Sequence, residues 1–378
     1  MAQADLNEHR SMLSNSVTNF ARGVDLARVR KLRDTNAECD RAVWTQMAEL
    51  GWLGVLAPEA CGGMGLKLGD MAIVAQGLAR ALVPEPLTAA AVLAARVLAD
   101  SNNDTLKSKL LEGLVSGEML PAVAWQEEAG SLDVNNINVQ ATPAGDGFRV
   151  NGSKRFIMGA TSAEGFIVSA KLAHGMQLLW IPRDTAGATV QFDRLADNRQ
   201  AATLTLANVS VPKTHIINSG DIAAGSLARA IDHASAIIGA ELCGIMSRSL
   251  EITLEYLKTR VQFGKAIGSF QALQHRAVDL YIQQELSSAV LGDCLAVLDG
   301  EPDAKTRSAA ASRIKARCAD AALLITRQSI QMHGAIGYTE DCDVGLYVKR
   351  AMTLAAWLGN GHTHRRRYAK TEILEGAL

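Results

Sequence analysis

Apolar positions recur at helical spacing through the first third of the chain. Val43, Met47, Leu50, Leu53 and Leu56 keep a period near 3.6 until Pro58-Glu59-Ala60-Cys61-Gly62-Gly63 interrupts it. Met71, Val74, Leu78 and Leu82 resume the period, and Pro84-Glu85-Pro86 stops that helix because proline has no amide to donate. An Ala-rich helix is expected around Leu87–Leu98 and a short one around Leu106–Ser116. From about Leu120 the period falls to two. Phe148–Val150 and Lys154–Ile157 flank Asn151-Gly152, a pattern that predicts a hairpin with a type I′ turn. Phe166–Ser169, Gln177–Trp180, Val190–Phe192 and Thr203–Leu206 predict further strands, spaced as in a small barrel or sandwich of roughly 100 residues. After Pro212 the helical period returns, with Leu227, Ile231, Ala234, Ile238, Leu242 and Ile245 on one apolar stripe. Tyr256–Ile282 predicts two helices flanking a turn at Gly264–Gly268. A further helix is expected near Lys305–His333 and a last one from about Tyr347.

Composition narrows what such a chain can do. Its 378 residues suffice for two or three domains with substantial cores. A net charge of -1 and a pI near 6.7 leave no nucleic-acid footprint. Six cysteines without a C-x-x-C pair point to free thiols in a reducing compartment. No apolar run approaches the ~18 residues of a membrane span, and no signal core opens the chain, so a cytoplasmic protein is expected. His362 and His364 lack a third ligand at convincing spacing, so no metal site is expected.

The most informative stretch is the turn after Tyr256. It gathers Arg260, Gln262, Phe263 and Gln271. A guanidinium fork suits a diphosphate, amides suit phosphate or ring edges, and Phe263 offers an apolar plane. Taken by residue type, the same segment also suits a helical hairpin with a solvated arginine.

Arg260-Val261-Gln262-Phe263-Gly264, with Ile267, Phe270-Gln271 and Gln274-His275, resembles the R-x-Q-F-G-x-x-I-x-x-F-Q-x-x-Q-H signature of the acyl-CoA dehydrogenase family. Gln331–Tyr338 resembles the family's Q-x-x-G-G-x-G-[FY], with Ala335 for one glycine, and Pro58–Leu66 resembles P-E-x-x-G-G-x-G-L. Ala81–Leu87 is similar to bacterial small subunits that pair with a second acyl-CoA dehydrogenase chain. The resemblance spans the chain and implies an α+β fold: an N-terminal helical domain over 1–119, a middle β-barrel over 120–213 and a C-terminal helical bundle over 214–378. It implies FAD, an acyl-CoA substrate and an electron-transfer flavoprotein as acceptor. The assembly would be a homo-oligomer (dimer or tetramer) or a hetero-tetramer. Arg260, Phe263, Phe270, Gln271, Gln331, Gly334 and Ala335 would reach FAD held mainly by a neighbouring subunit.

Two flavin segments match only in part. Trp125, Gln126 and Glu127 stand where the family has Thr-Glu-Pro, followed by Gly130-Ser131 with Leu132 in place of Asp. Phe156-Ile157-Met158 takes the place of W-I-T or W-I-S. Phe156 can cover a ring, but Met158 has no donor for the flavin N5. Trp125, Ser131, Phe156 and Met158 are the flavin-contact candidates of this segment.

The implied reaction removes a Cα proton while a hydride leaves Cβ, so a carboxylate must face Cα. Family alignment puts Leu358 at the usual glutamate position and Ala234 at the alternative one, with Ser235 beside it. Neither takes a proton. Asp232, Glu241, Glu340, Asp341 and Asp343 remain as acidic candidates. Glu241, seven residues from Ala234 on the same helix face, is the candidate base, with a structural ion pair as its other reading. Two functions are therefore expected: an FAD-dependent dehydrogenase forming 2,3-enoyl-CoA, or a catalytically degenerate subunit that completes a partner's FAD site.

Overall fold

The fold was taken from a computed structural model, which describes residues 3–32, 38–173 and 175–372. Four helices open the chain: α1 (Gln3–Arg22), α2 (Leu26–Lys31), α3 (Arg41–Glu49) and α4 (Leu68–Arg80). They are followed by α5 (Ala95–Ala99) and α6 (Asp104–Val115). Eight strands come next: β1 (Pro121–Ala124), β2 (Gln140–Ala144), β3 (Gly147–Met158), β4 (Gly165–Leu172), β5 (Gly175–Pro182), β6 (Ala188–Arg194), β7 (Gln200–Pro212) and β8 (Ile216–Ser219). The remainder is α7 (Gly220–Thr259), a hairpin of β9 (Val261–Gln262) and β10 (Lys265–Ala266), then α8 (Gln271–Asp299), α9 (Ala304–His333), α10 (Val344–Ala356) and α11 (Gly361–Glu372). The chain divides into two compact units: Met1–Lys31, Ala72–Val83 and Ser235–Leu378 in one, Leu32–Met71 and Pro84–Ala234 in the other.

In the second unit the expected strands fall in β3, β4, β5, β6 and β7, and with β1, β2 and β8, which the sequence pattern did not mark, they form one eight-stranded sheet in the order β6-β7-β3-β2-β4-β5-β8, with β1 paired to β4 in parallel. The expected turn at Asn151-Gly152 is not there: both residues lie inside the long strand β3, at a bulge against β7. The hairpin turns six residues earlier, at Gly145-Asp146, where Ala144 pairs with Gly147 and Gly145 takes φ +59°. Asn-Gly misled because Val150 and Lys154 continue one strand across it, and a bulge absorbs the extra residue that a turn would have used. The Ala-rich stretch is helical, but Thr88–Ala94 winds as a π-helix before α5 begins. All seven of these residues are buried, so their pattern carries no period from which the winding could be read.

The loop Pro58–Leu66 doubles back on residues 54–57. The amides of Met64, Gly65 and Leu66 donate to the carbonyls of Gly54, Ala57 and Val55. A Cβ on Gly63 would lie 2.1 Å from the Ala57 carbonyl oxygen, so the loop closes only around glycine there.

The first unit is helical apart from the β9–β10 hairpin. α9 is its central element, packing against α8, α10 and α11. The single helix expected from about Tyr347 is two helices, broken where Leu358 (φ +54°) and Gly359 (φ +90°) are both left-handed. Glycine makes such a break legible; a leucine at positive φ does not. Among the described residues no helix is long and apolar enough to cross a membrane, and no group of His, Cys, Asp or Glu is arranged to hold a metal ion.

Candidate functional segments

In the helical unit the turn after α7 is a tight hairpin. Phe263 sits at its tip with φ +53°, 90% exposed, and its ring meets Phe270 edge-on at 6.1 Å. The Lys265 ammonium lies 4.4 Å from the Phe270 ring centroid. The Arg260 amide donates to the Tyr256 carbonyl of α7, and the Arg260 carbonyl accepts from the Ile267 amide. Its side chain is exposed, and no hydrogen bond holds it among the described residues. The same is true of the Gln271 and Gln331 side chains.

Gln331, Gly334 and Ala335 lie at the end of α9, where Gly334 turns the chain with φ +68°. The two signature segments are joined within this unit. The Tyr256 ring stacks on His333 at 4.4 Å and 19°, and its phenol donates to the His333 carbonyl at 3.4 Å. Neither residue was singled out in the sequence. Their one signal is position: Tyr256 is a helical turn before Arg260, and His333 lies inside Gln331–Ala335. The exposed guanidinium and two amides that these joined segments carry, with no hydrogen-bond partner among the described residues, are of a chemistry that fits an adenine diphosphate group such as that of FAD.

In the sheet unit Trp125, Ser131, Phe156 and Met158 sit on the end of β1, the following loop and β3. A buried network fixes this loop. Lys154, wholly buried in β3, donates to Glu127 at 2.7 Å, to the Ser169 hydroxyl at 2.8 Å and to the Trp125 carbonyl at 3.1 Å. Glu127 also accepts from the amides of Asn138 and Val139 at 2.7 and 3.1 Å. Three N–H donors meet three acceptors, as an ammonium requires. Burial lowers the Lys154 pKa to about 8, against the opposing pull of Glu127. Burial would raise the Glu127 carboxyl, but the hydrogen bond and charge of Lys154 and the two amides together hold it below its ordinary value.

A second tie runs from the Arg155 amide to the Gln126 carbonyl at 2.8 Å, and the Gln126 side chain donates to the carbonyls of Glu128 and Ser131. Arg155 and Phe156 are out of register with β7, Phe156 takes φ +58°, and the Arg155 guanidinium lies 5.1 Å over its ring. The sequence marked Glu127 only as a departure from proline; its pairing with Lys154, 27 residues away, was missed. A lysine at an inward position of β3 was the available signal.

The two positions implied for a base, 234 and 358, hold no carboxylate. Ala234 is fully buried on α7, and the Ser235 hydroxyl is buried without a hydrogen-bond partner among the described residues. Leu358 is 1% exposed, and its carbonyl accepts from His364 Nε2 at 2.8 Å. Glu241 is held by Arg350 at 2.8 Å, both side chains nearly buried. Asp343 pairs with Arg30 at 2.6 Å, and Arg30 also donates to the Glu340 carbonyl. Asp232 is wholly buried on α7, and Asp341 is exposed.

Comparison with known proteins agrees along the whole chain. Residues 7–118, 122–209 and 225–373 match the N-terminal, middle and C-terminal domains of acyl-CoA dehydrogenases. Acyl-CoA dehydrogenase IpdE2 of Mycobacterium tuberculosis is 30% identical over 346 residues, covering 91% of each chain. IpdE2 of Mycolicibacterium smegmatis is 29% identical over 364 residues, 96% of this chain and 98% of that one. Among solved structures, a variant of the Tcur3481-Tcur3483 steroid ACAD superposes with a TM-score of 0.87 at 28% identity, covering 98% of this chain and 99% of that one.

Proposed function

The chain belongs to the acyl-CoA dehydrogenase family, and from that premise we propose that it takes part in FAD-dependent oxidation of an acyl-CoA thioester to its 2,3-enoyl-CoA. The observation that carries this reading is that Arg260, Gln271 and Gln331 are exposed and without a hydrogen-bond partner among the described residues, on two signature segments joined by the Tyr256–His333 stack. In this reading Arg260 binds a diphosphate as a fork, Gln271 and Gln331 orient it, and the backbone at Gly334-Ala335 permits close approach. Trp125, Ser131 and Phe156 would border the flavin ring, and Met158 would meet it as an apolar contact. FAD, when bound, supplies the acceptor for the hydride that leaves Cβ. The protein's share of the chemistry is then to hold the thioester, exclude water and take the Cα proton. IpdE2 and the steroid ACAD suggest steroid-derived acyl groups among the candidate substrates, and an electron-transfer flavoprotein would reoxidise the flavin.

Proton removal divides two versions of this function. In the first the chain is itself the dehydrogenase, with Glu241 as base. In the second it is a catalytically degenerate subunit of a hetero-oligomer whose Arg260 and Gln331 complete a partner's FAD site. The Arg350–Glu241 pair and the buried Leu358 favour the second, because the Arg350 guanidinium already occupies the Glu241 carboxylate and leucine takes no proton.

Anaerobic addition of acyl-CoA to the FAD-loaded chain, alone and with candidate partner chains, tests both. Bleaching by the chain alone, lost in Glu241→Gln, supports the first. Bleaching only with a partner, retained in Glu241→Gln, supports the second. A flavin that never bleaches with any acyl-CoA or partner sinks the function.

A further inference from the structure

Between α10 and α11 the backbone is held by side chains, not by other backbone groups alone. Lys315, wholly buried in the middle of α9, donates to the Ala355 carbonyl at 3.1 Å and to the Gly359 carbonyl at 2.7 Å. His364, wholly buried in the first turn of α11, places Nε2 2.8 Å from the Leu358 carbonyl and Nδ1 3.3 Å from the Ser312 hydroxyl. Ser312 and Lys315 are three residues apart and share one face of α9. Three carbonyls of the five-residue stretch 355–359 are therefore claimed by two helices. Helix C-termini leave their last carbonyls without intrahelical partners, and here the partners come from outside the helix.

The proton inventory is complete. Burial, with the Lys315 charge adding to it and the Leu358 bond opposing it, lowers the His364 pKa to about 3. His364 is thus neutral, with its proton on Nε2 facing the carbonyl and a lone pair on Nδ1 for the Ser312 hydroxyl. Lys315 has only carbonyl acceptors and no carboxylate among the described residues, and burial lowers its pKa to about 7. A neutral amine has two N–H donors, which match the two carbonyls. Lys154, with three acceptors and a carboxylate among them, is the opposite case. The whole arrangement ends in Leu358 at φ +54°, a conformation leucine adopts only when its surroundings impose it.

We infer that Ser312, Lys315 and His364 form one positioning unit that fixes the backbone at 355–359 and so sets the direction in which the side chain of residue 358 leaves the chain. The inference rests on the reading that position 358 belongs to the reaction site. Its consequence is specific to this protein. The support for a carboxylate at 358 is intact while a leucine occupies the position, so a glutamate introduced there is held without further change.

The test is amide hydrogen exchange on the full-length, FAD-supplemented protein, followed by peptides covering 355–361. Lys315→Met should raise exchange there by about 10- to 100-fold, the weight of one or two hydrogen bonds whose loss strands a buried carbonyl, and leave β3–β7 unchanged. His364→Gln keeps an amide that can donate to the Leu358 carbonyl and should retain most of the protection, whereas His364→Leu should lose it. If Lys315→Met does not fold, the two His364 variants carry the same comparison. Unchanged exchange at 355–361, or an equal rise throughout α9, α10 and α11 in both His364 variants, overturns the inference.

A second readout ties the unit to position 358. Leu358→Glu should bleach its flavin with acyl-CoA, and adding Lys315→Met should slow bleaching by about tenfold or more at unchanged flavin content. If Leu358→Glu gains nothing, the reading of position 358 fails, and the exchange data still decide the positioning unit.

Discussion

Replacing Lys154 with methionine removes a buried charge while keeping most of the side chain's volume. Three acceptors lose their donor: Glu127 at 2.7 Å, Ser169 at 2.8 Å and the Trp125 carbonyl at 3.1 Å. Glu127 decides the cost. Its side chain is 8% exposed, and it would keep only the amides of Asn138 and Val139. Breaking a buried ion pair from one side costs about 3–5 kcal/mol, and the two remaining amides put the expected loss near the lower end, about 3 kcal/mol. In Lys154→Met/Glu127→Gln no unpaired carboxylate remains, so the double variant should be at least about 1.5 kcal/mol more stable than the sum of the singles predicts. Urea unfolding midpoints at a common slope measure all four corners of this cycle.

The pH dependence adds an independent check. The Lys154 pKa is lowered from 10.5 to about 8 in the folded state, mainly by burial. Below pH 8 the amine is protonated in both states and its burial cost is constant. Between pH 8 and 10.5 the folded state releases its proton first, so this group's contribution to stability rises with pH. The rise amounts to about 3 kcal/mol, at about 1.4 kcal/mol per pKa unit, and Lys154→Met should lack it. A loss under about 1 kcal/mol for Lys154→Met, or singles that simply add, would refute the reasoning that this ion pair staples the Trp125–Ser131 loop.

The remaining expectations concern other parts of the molecule. His364 resists protonation down to about pH 3 in the folded state, whereas the unfolded chain takes the proton near 6.5, so stability should fall as pH drops through that window. Between pH 6.5 and 5 the fall due to His364 is about 2 kcal/mol, and thermal melts of His364→Gln should lack it. Gly63→Ala places a methyl 2.1 Å from the Ala57 carbonyl oxygen and should cost about 1–3 kcal/mol in a denaturant melt; a neutral outcome would mean that the Pro58–Leu66 loop yields easily. Arg260→Met should weaken FAD retention by about tenfold or more in a dilution assay read by flavin absorbance, with the melting temperature of the apoprotein unchanged, because the side chain is exposed and has no hydrogen-bond partner among the described residues.

The fold class was legible because its signals are local. A period of 3.6 needs only neighbours on one helix face, a period of two only neighbours on one strand, and both survive without tertiary information. The switch near Leu120 and the return after Pro212 therefore set the order of helices, strands and helices, and Arg260–Gln271 with Gln331–Ala335 marked the signature turns. What failed locally did so where local rules compete. Asn151-Gly152 is a good turn sequence, yet β3 passes straight through it because pairing with β7 along nearly its whole length outweighs the preference of two residues. The helix expected from Tyr347 broke at Leu358-Gly359, where the bonds from α9 and α11 hold leucine at positive φ.

The site was half legible for the same reason. Arg260, Gln271 and Gln331 could be chosen as binding residues from their type and setting, since exposed groups are not defined by what they touch. Glu241, Lys154, Lys315 and His364 could not be assigned a role from type alone. A buried ionisable group takes its meaning from its partner, and most of the partners lie far along the chain: Arg350 for Glu241, Glu127 for Lys154, Ala355 and Gly359 for Lys315, Ser312 for His364. The sequence by itself determined the order of helices, strands and helices and which family they spell. Only the tertiary structure decided which buried charges are spent on holding loops in place, because in a low-dielectric interior the free energy of a charge depends on the few atoms around it and not on its neighbours in sequence.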